Sequence, residues 1–410
     1  MTRTAFVALA ALVIAAGMSA QGLTVGNNVT TPNSSDGNIG VVRTVIDLAH
    51  PANATGNLTS ATFYWANTGC TNAVKVKVFR RVGDTFTLVA ERGPFSPTSS
   101  PFTTPLSPPA PVLQGDLIAL SRVANCGNAG VVTPGWQNNF LRIVGEPSSF
   151  TFSQAEKINA TLAVGATGNA TESIAGVIPA VASNRGTDAF FRTTLQMMAH
   201  PPVGSTPTTG KLVFHRLGVP GSPTDVSLPF SIMPGQMQFW DDILVSAGVA
   251  GAPASVDVVM PWGRGLPVVT THLYNDMGAS GTTGFRQDVV DLARDASQVF
   301  VPGMWGYLLG PVDATTFRCN IGIRSLEAGV EGTLQVRRAD GTSLGTRTFR
   351  YGPNTYDQKS FSQMTGVTLE DGLTVQVVVS TGKAIVYASV VDNQTGDPAN
   401  VLGRTYEGII

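Results

Sequence analysis

Two stretches of the sequence between Phe191 and Pro398 resemble each other. Three short segments recur in the same order, separated by about 120 residues, which is one typical domain length and not the shorter period of a solenoid. This internal similarity constrains the fold more than any other feature, because it predicts the same arrangement twice. The matched segments are Phe191–Leu195 with Phe317–Ile321, Val256–Val259 with Val375–Val378, and Tyr274–Asp276 with Val391–Asn393.

Each copy contains about seven short segments of alternating apolar and polar residues, with turn residues at intervals of roughly ten. This pattern predicts a β-sandwich, because two sheets can bury their apolar faces against each other without any helix. A single helical turn is predicted in each copy, within Gln238–Leu244 and Lys359–Met364.

The residues before the duplication alternate as well. Val74–Phe79 has period two, with Lys75 and Lys77 predicted to point outward, and Gly115-Asp116 is typical of exported jelly-roll modules. We therefore predict an all-β fold, an N-terminal jelly-roll-like sandwich followed by two tandem repeated β-sandwich domains. Its predicted parts are a signal peptide (1–20), the N-terminal sandwich (21–147), a linker rich in Ala, Thr, Asn and Gly (148–176), copy one (177–290) and copy two (291–410).

Residues 1–20 have the pattern of a secretory signal peptide. Arg3 precedes an apolar run over Phe6–Ala16, and small residues follow that run. The run is short for a bilayer span, and a membrane anchor is the alternative. No later stretch has the length and apolarity of a transmembrane helix. These features predict a protein that is secreted or located at the cell-envelope exterior.

Charged residues make up only 13% of the chain, and its net charge is −1. Such a chain has no basic excess that would attract nucleic acid. We expect no nucleic-acid partner, and instead an unidentified surface ligand, either polysaccharide or protein.

Two segments resemble a known group of proteins. Phe317–Gly322 and the closing run Tyr387–Pro398 are similar to sequences in uncharacterised exported bacterial proteins with paired β-sandwich (Ig-like) domains. The resemblance covers about the last 230 residues. It implies an exported location and a paired-sandwich architecture, and it implies no activity.

The cysteines fit an oxidising compartment. Cys70 and Cys126 both lie in turn-like polar contexts in the N-terminal third, which predicts a disulfide between them. Cys319 alternates onto the same side as Phe317 and Ile321, and Thr193 fills the matching position of copy one. Cys319 is therefore predicted to be a buried core thiol and not a nucleophile.

No known catalytic spacing is present. The histidines His50, His200, His215 and His272 are scattered and form no zinc motif, and Gly278–Gly281 lacks the pattern of a nucleophile elbow. The acidic pairs Asp241-Asp242 and Glu370-Asp371 do not have the placement of a glycosidase pair. The chain is predicted to be non-catalytic, with no cofactor unless calcium binds.

A loop near the C-terminus is the candidate calcium site. Asp392, Asn393 and Asp397 place several side-chain oxygens close together in sequence, and calcium takes six to eight oxygen ligands. The loop does not match the twelve-residue calcium motif. A turn held by hydrogen bonds to Asp and Asn side chains is the alternative.

Trp136 and Trp262 are the candidate ligand residues, because both lie in polar, loop-like contexts. An exposed indole ring can stack on the apolar face of a sugar, although most tryptophans fill cores. Arg192 and Arg318 occupy matched positions, with Asp188 and Asp313 shortly before them. Each arginine is predicted to make a charge-assisted hydrogen bond across the strand entrance.

We therefore expect an exported, non-catalytic binding or structural protein of the cell exterior. One alternative is a protein similar to a carbohydrate-binding module. The other is a secreted hydrolase whose active site is assembled from residues distant in sequence. A flat row of exposed aromatic rings would favour the first alternative, and a cleft that joins a histidine or two carboxylates would favour the second.

Overall fold

The computed structural model describes residues 22–27, 31–37, 41–133, 140–186, 189–199 and 205–406. Strands form nearly all of its regular structure, so the predicted all-β fold is confirmed. The helices found in these ranges are short. They are α1 (Ile243–Ser246), α2 (Phe361–Thr365) and the 3-10 turns Phe152–Gln154, Gly278–Ser280 and Ala296–Gln298.

The strands before residue 163 are β1 (Leu23–Gly26), β2 (Ser34–Ser35), β3 (Arg43–Asp47), β4 (Thr55–Phe63), β5 (Trp65–Ala66), β6 (Val74–Val82), β7 (Thr85–Phe95), β8 (Phe102–Val112), β9 (Leu117–Arg122), β10 (Asn128–Val132), β11 (Phe140–Val144), β12 (Ser149–Thr151), β13 (Glu156–Ile158) and β14 (Thr161–Leu162). Those between residues 163 and 300 are β15 (Val164–Val181), β16 (Asn184–Arg185), β17 (Phe190–Met198), β18 (Thr208–Arg216), β19 (Ser227–Ile232), β20 (Met237–Trp240), β21 (Ala254–Pro261), β22 (Val268–Asp276), β23 (Thr282–Gln287) and β24 (Val290–Asp291). The remaining strands are β25 (Trp305–Leu309), β26 (Phe317–Arg337), β27 (Ser343–Tyr351), β28 (Tyr356–Ser360), β29 (Thr374–Asp392), β30 (Pro398–Leu402) and β31 (Arg404–Tyr406).

The first core lies between two sheets. One sheet has seven antiparallel strands in the order β12-β7-β6-β9-β3-β11-β13. The other, which we call the long sheet, has the order β19-β18-β21-β15-β4-β8, with β1 and β24 also paired to β15. Side chains from both sheets meet in this core, among them Leu58, Phe63, Val76, Ile118 and Val164.

One lysine that was predicted to lie on the surface of the seven-stranded sheet is buried. The side chain of Lys77 is 1% exposed, and its ammonium group lies 3.0 Å from carboxylate oxygens of both Glu91 and Glu146. Lys77 points away from the valines as predicted, but the expectation that it is exposed to solvent is wrong. The side chain lies opposite the valines of β6, but two glutamates cover it, and a charge can be buried when it is paired in this way.

The predicted linker over residues 148–176 is also wrong, because this segment contributes β12, β13, β14 and most of β15. The first half of β15 pairs with β4, and its second half pairs with β21. Small residues allow β15 to lie close to its neighbouring strands. A Cβ atom on Gly168 would lie 2.0 Å from the carbonyl oxygen of Asn57, so the two backbones approach more closely than an ordinary side chain allows.

The second core lies between the far half of the long sheet and a middle sheet of order β16-β17-β22-β23, with β20 paired to β17. Ile178 of β15, Leu212 and Val256 come from the long sheet, and Leu195 comes from the middle sheet. Ile243 and Leu244 of α1 close one end, and Asp242 caps this helix by accepting a hydrogen bond from the Val245 N–H.

The third core is enclosed by one sheet, which we call the last sheet, of order β27-β26-β29-β25-β31 with β28 and β30 at its sides. The register of β26 against β29 shifts between Ser325 and Val330. Side chains from both halves of each long strand then face one core, for example Ile321 with Leu334 and Val377 with Val386. The two predicted helical turns are confirmed in part. Helix α2 covers Phe361–Met364 of the second predicted segment, whereas α1 begins only at Ile243, because β20 occupies the start of the first.

Candidate functional site

The cysteines lie as predicted. Cys70 and Cys126 form a disulfide, with their Cα atoms 5.6 Å apart. Cys319 is free and buried in the third core, and burial raises the pKa of its thiol to about 11. A thiol with a raised pKa is protonated at neutral pH and is a poor nucleophile, which agrees with the predicted core role.

The two candidate tryptophans have different outcomes. Trp136 lies outside the described residues. Trp262 is half-buried and packs against the first core, and its backbone N–H donates to the carbonyl oxygen of Thr171 at 2.9 Å. Part of the indole surface is therefore used for packing, and its role as a ligand residue stays a prediction.

The candidate calcium loop is held by hydrogen bonds. The Oδ1 atom of Asp392 accepts from the backbone N–H groups of Gln394 and Thr395 at 2.7 and 2.8 Å. Hydrogen bonds from Thr395 and Gln394 lower the pKa of Asp392. The Oδ1 atom of Asn393 accepts from Arg318, and the Asp397 backbone N–H donates to the Thr395 hydroxyl.

This geometry is the predicted alternative to a metal, a turn held by Asp and Asn side chains. The loop also contacts the middle sheet, because the Asn275 amide donates to the carbonyl oxygen of Thr395 at 3.3 Å. Across the residues that are described, no group of three or more His, Cys, Asp or Glu side chains is arranged to hold a metal ion. Calcium binding by Asp392, Asn393 and Asp397 stays a prediction.

Arg192 and Arg318 both make hydrogen bonds beside the strand entrance. Arg192 donates to Asp276 at 3.1 Å and to Asp242 at 3.4 Å, and Arg318 donates to Asn393 at 3.2 Å. The predicted role is confirmed, although Asp313 is not the partner of Arg318. Asp313 instead accepts hydrogen bonds from the hydroxyl groups of Thr315 and Thr316, which lower its pKa. Asp188, the other expected partner, lies outside the described residues.

A buried ionic cluster joins the long sheet to the last sheet. His215 is fully buried, with Nδ1 2.8 Å from Asp225 and Nε2 2.9 Å from Asp257. The other Asp257 oxygen accepts from Arg324 at 2.7 Å. No local motif in the sequence indicates this cluster, because its members are separated by up to 109 positions (215 to 324).

A cavity of about 230 Å³ lies beside this cluster, and Asp225, Asp257, Glu172 and Lys211 line it. A histidine with two carboxylates is the feature expected of a hydrolase. However, both ring nitrogens of His215 already face carboxylate oxygens. The nearby hydroxyl of Ser255 donates to the backbone carbonyl oxygen of Ile178 and accepts from Arg324. This arrangement lacks the nucleophile–base hydrogen bond that acyl transfer requires.

Among the remaining histidines, His50 bonds to Asp47 at 2.9 Å, and the ring of His272 stacks on Tyr274. His200 lies outside the described residues.

The last sheet presents three aromatic rings on its outer face. Alternation along β25 explains their direction, because Gly306 and Leu308 are buried and Trp305 and Tyr307 therefore point to the other side. Tyr406 of β31 lies directly opposite Trp305. We call Trp305, Tyr307 and Tyr406 the aromatic patch. Their ring centroids are 5.4 to 6.3 Å apart, and Tyr406 is 54% exposed.

Polar side chains extend from the patch across the same face. Strand register aligns them in rows, because residues that are directly opposite in a sheet share a face. One row runs from Tyr307 through Gln376 and Gln335 to Thr346, and the next runs from Trp305 through Val378 and Thr333 to Thr348. The result is an open sheet face with aromatic rings at one side and amide and hydroxyl groups beside them.

A groove of about 530 Å³ adjoins the patch, lined by Tyr307, Leu309, Arg337, Ala339, Arg404, Tyr406 and their neighbours. This site was not among the candidates predicted from the sequence. Trp305, Tyr307 and Tyr406 are distributed over about 100 positions, and only the pairing of β25 with β31 brings them together. The single local signal was the alternation of large aromatic residues with Gly306 and Leu308.

Comparison with known proteins finds no matching family model and no significant match among curated proteins.

Proposed function

We propose that the chain is an exported, non-catalytic binding protein of the cell exterior, and that the outer face of its last sheet binds carbohydrate. The carrying observation is the aromatic patch beside rows of glutamine and threonine. Aromatic rings offer flat apolar surface to the C–H face of a sugar ring, and amides and hydroxyls can bond to its hydroxyl groups. Open sheet faces of this composition suit an extended chain of sugars better than a small enclosed ligand.

Two observations support an exterior location. The Cys70–Cys126 disulfide persists in oxidising compartments, and the first twenty residues have the pattern of a signal peptide. Within the described residues, no helix is long and apolar enough to cross a membrane.

Strand register supports the proposed duplication of one sandwich unit. Phe191 pairs with Asn275 as Phe317 pairs with Asp392, which are the partners that the sequence match requires. In the neighbouring strands, Lys211 pairs with Val259 as Thr333 pairs with Val378. The pairings that copy one forms between the four strands β17, β18, β21 and β22 correspond to those that copy two forms between the two long strands β26 and β29. The aromatic patch belongs to copy two.

Glycan-array binding with the purified chain, in the presence and absence of calcium, tests this proposal. We expect binding to at least one glycan class, and a Tyr406→Ala variant should bind its best ligand about tenfold more weakly, as loss of one aromatic contact worth about 1.4 kcal/mol implies. Phe239→Ala is the matched control, because the Phe239 ring is 61% exposed on the middle sheet.

Three results would contradict the proposal. They are an array with no bound glycan, equal losses in the two variants, and turnover of the bound glycan. A difference between the arrays with and without calcium would show that calcium affects binding, and substitutions of Asp392, Asn393 and Asp397 would then test whether that loop is the calcium site.

A further inference from the structure

Three arginine side chains border the groove beside the aromatic patch. Arg337 is the last residue of β26 and Arg338 follows it, and Arg404 on β31 lies opposite Tyr307. The carboxylate of Glu370 pairs with Arg338 at 3.0 and 3.1 Å, and Asp340 lies in the adjoining turn. Three cations against two acids leave a local positive excess, although the whole chain has a net charge of −1.

The arginines differ in how far they are already satisfied. Arg337 donates to the carbonyl oxygen of Gly341 and to the amide oxygen of Gln335, at 3.1 and 2.8 Å. These bonds hold its guanidinium at the rim of the groove but do not neutralise its charge. Arg404 is exposed, and no hydrogen bond or ion pair to its side chain occurs within the described part of the chain. Arg404 is therefore the group that is most available to an incoming anion.

We infer that the carbohydrate bound by this face is an acidic polysaccharide, whose carboxylate or sulfate groups meet Arg404 and Arg337 while its sugar rings lie on Tyr307 and Tyr406. This inference rests on the proposed function. A guanidinium group matches the geometry of a carboxylate or sulfate because it can donate two parallel hydrogen bonds. Tyr307 and Arg404 are directly opposite each other, so one sugar acid can contact both.

The polar rows favour this ligand over single-stranded nucleic acid, which also stacks on aromatic rings beside cations. Nucleic-acid grooves follow the phosphate backbone with continuous positive charge. Here the face beyond the patch carries Gln376, Gln335, Thr333 and Thr346, which are uncharged. Amides and hydroxyls in rows suit the repeated hydroxyl groups of a polysaccharide.

The test measures binding of the full mature chain to matched pairs of polymers, which are polygalacturonate with its methyl ester, and dextran sulfate with dextran. A thymidine oligonucleotide is the third arm. We expect at least one acidic polymer to bind tenfold or more tightly than its neutral counterpart at low salt, with an affinity that falls as salt is added. Arg404→Gln should weaken acidic binding about tenfold and leave the binding of any neutral glycan unchanged.

Arg286→Gln is the control, because it changes the net charge equally at an exposed arginine of the middle sheet. Binding of neutral glycans alone would overturn this inference and leave the proposed function intact. Failure to bind any glycan would overturn both. Equal losses in the two arginine variants would show a non-specific charge effect and overturn the inference, as would oligonucleotide binding that is as tight as acidic-polymer binding and equally sensitive to Arg404→Gln.

Discussion

Asp257 shows how much of the molecule can depend on one buried carboxylate. It lies on β21 of the long sheet, and it bonds both to His215 on the neighbouring strand β18 and to Arg324 on β26 of the last sheet. Burial raises the pKa of Asp257. The charges of Arg324 and His215 lower this pKa by a larger amount, so the net shift is downward. The charged form is therefore the one that the folded state favours.

Replacing Asp257 by Asn should destabilise the junction between the two sheets by about 3–5 kcal/mol at pH 7, because a buried guanidinium would lose its counter-ion. The chemical-denaturation midpoint measures this change. Asp225→Asn is the matched control, since the side chain of Asp225 is 29% exposed and His215 is its one ion-pair partner among the described residues. An equal effect of the two substitutions would contradict the assigned role.

The pH dependence of this effect has a definite sign. A carboxylate whose folded-state pKa is depressed stabilises the fold above its unfolded pKa, and this contribution is lost as pH falls through the folded value. The wild-type advantage over Asp257→Asn should therefore be largest near pH 7 and shrink below about pH 4. An advantage that grows towards low pH would contradict the lowered pKa.

At the scale of elements, β15 is the strand whose sequence pattern did not predict it. Its residues Val164–Val181 include many small and polar side chains, and this composition is also typical of a linker. Alternation was visible in β6 and β26, where large apolar residues mark one face. In β15 the small residues serve close backbone approach, and only the neighbouring strands reveal that function.

Gly168→Ala should destabilise the pairing of β15 with β4 by about 2 kcal/mol, as overpacking does. The added methyl group would lie 2.0 Å from the Asn57 oxygen and 2.7 Å from the Leu58 Cα atom, and both are backbone atoms that cannot rotate away. Gly265→Ala is the control, because a Cβ there meets nothing within 4 Å. Thermal melting of both variants checks the prediction, and equal melting temperatures would contradict it.

The candidate site illustrates the same limit. Sequence alone correctly predicted the disulfide and the buried Cys319, because each depends on a simple pairing or alternation rule. It placed the two helical turns only approximately, since α1 begins at Ile243 and α2 at Phe361. It selected Trp136 and Trp262 for their polar neighbours, whereas the aromatic patch lies on the two strands β25 and β31. Tyr406 meets Trp305 through the β25–β31 pairing, which no local pattern encodes.

At the scale of the whole molecule, the cores are joined in two different ways. The first and second cores share β15, since Val164 and Ala166 point into one and Ile178 and Val181 into the other. In the part of the chain that the structure describes, one isolated bridge between Leu217 and Tyr356 links the last sheet to the long sheet, and side-chain contacts supply further attachment. Those contacts include the ionic cluster of Asp257 and an apolar group around Val177, Leu326 and Ile385.

A shared strand couples cores more tightly than side-chain contacts do, because loss of the strand removes backbone hydrogen bonds and apolar packing from both cores together. Opening of the first core should therefore open the second. Hydrogen exchange followed by mass spectrometry measures this coupling strand by strand. In the Gly168→Ala variant, we expect amides of β4 and β21 to lose protection by similar factors, although β21 is not in contact with the substituted residue. Amides of β29 in the third core should change much less. Unchanged protection in β21 would show that the long sheet opens in two independent halves, and equal loss in β29 would show that side-chain contacts couple the cores as strongly as β15 does.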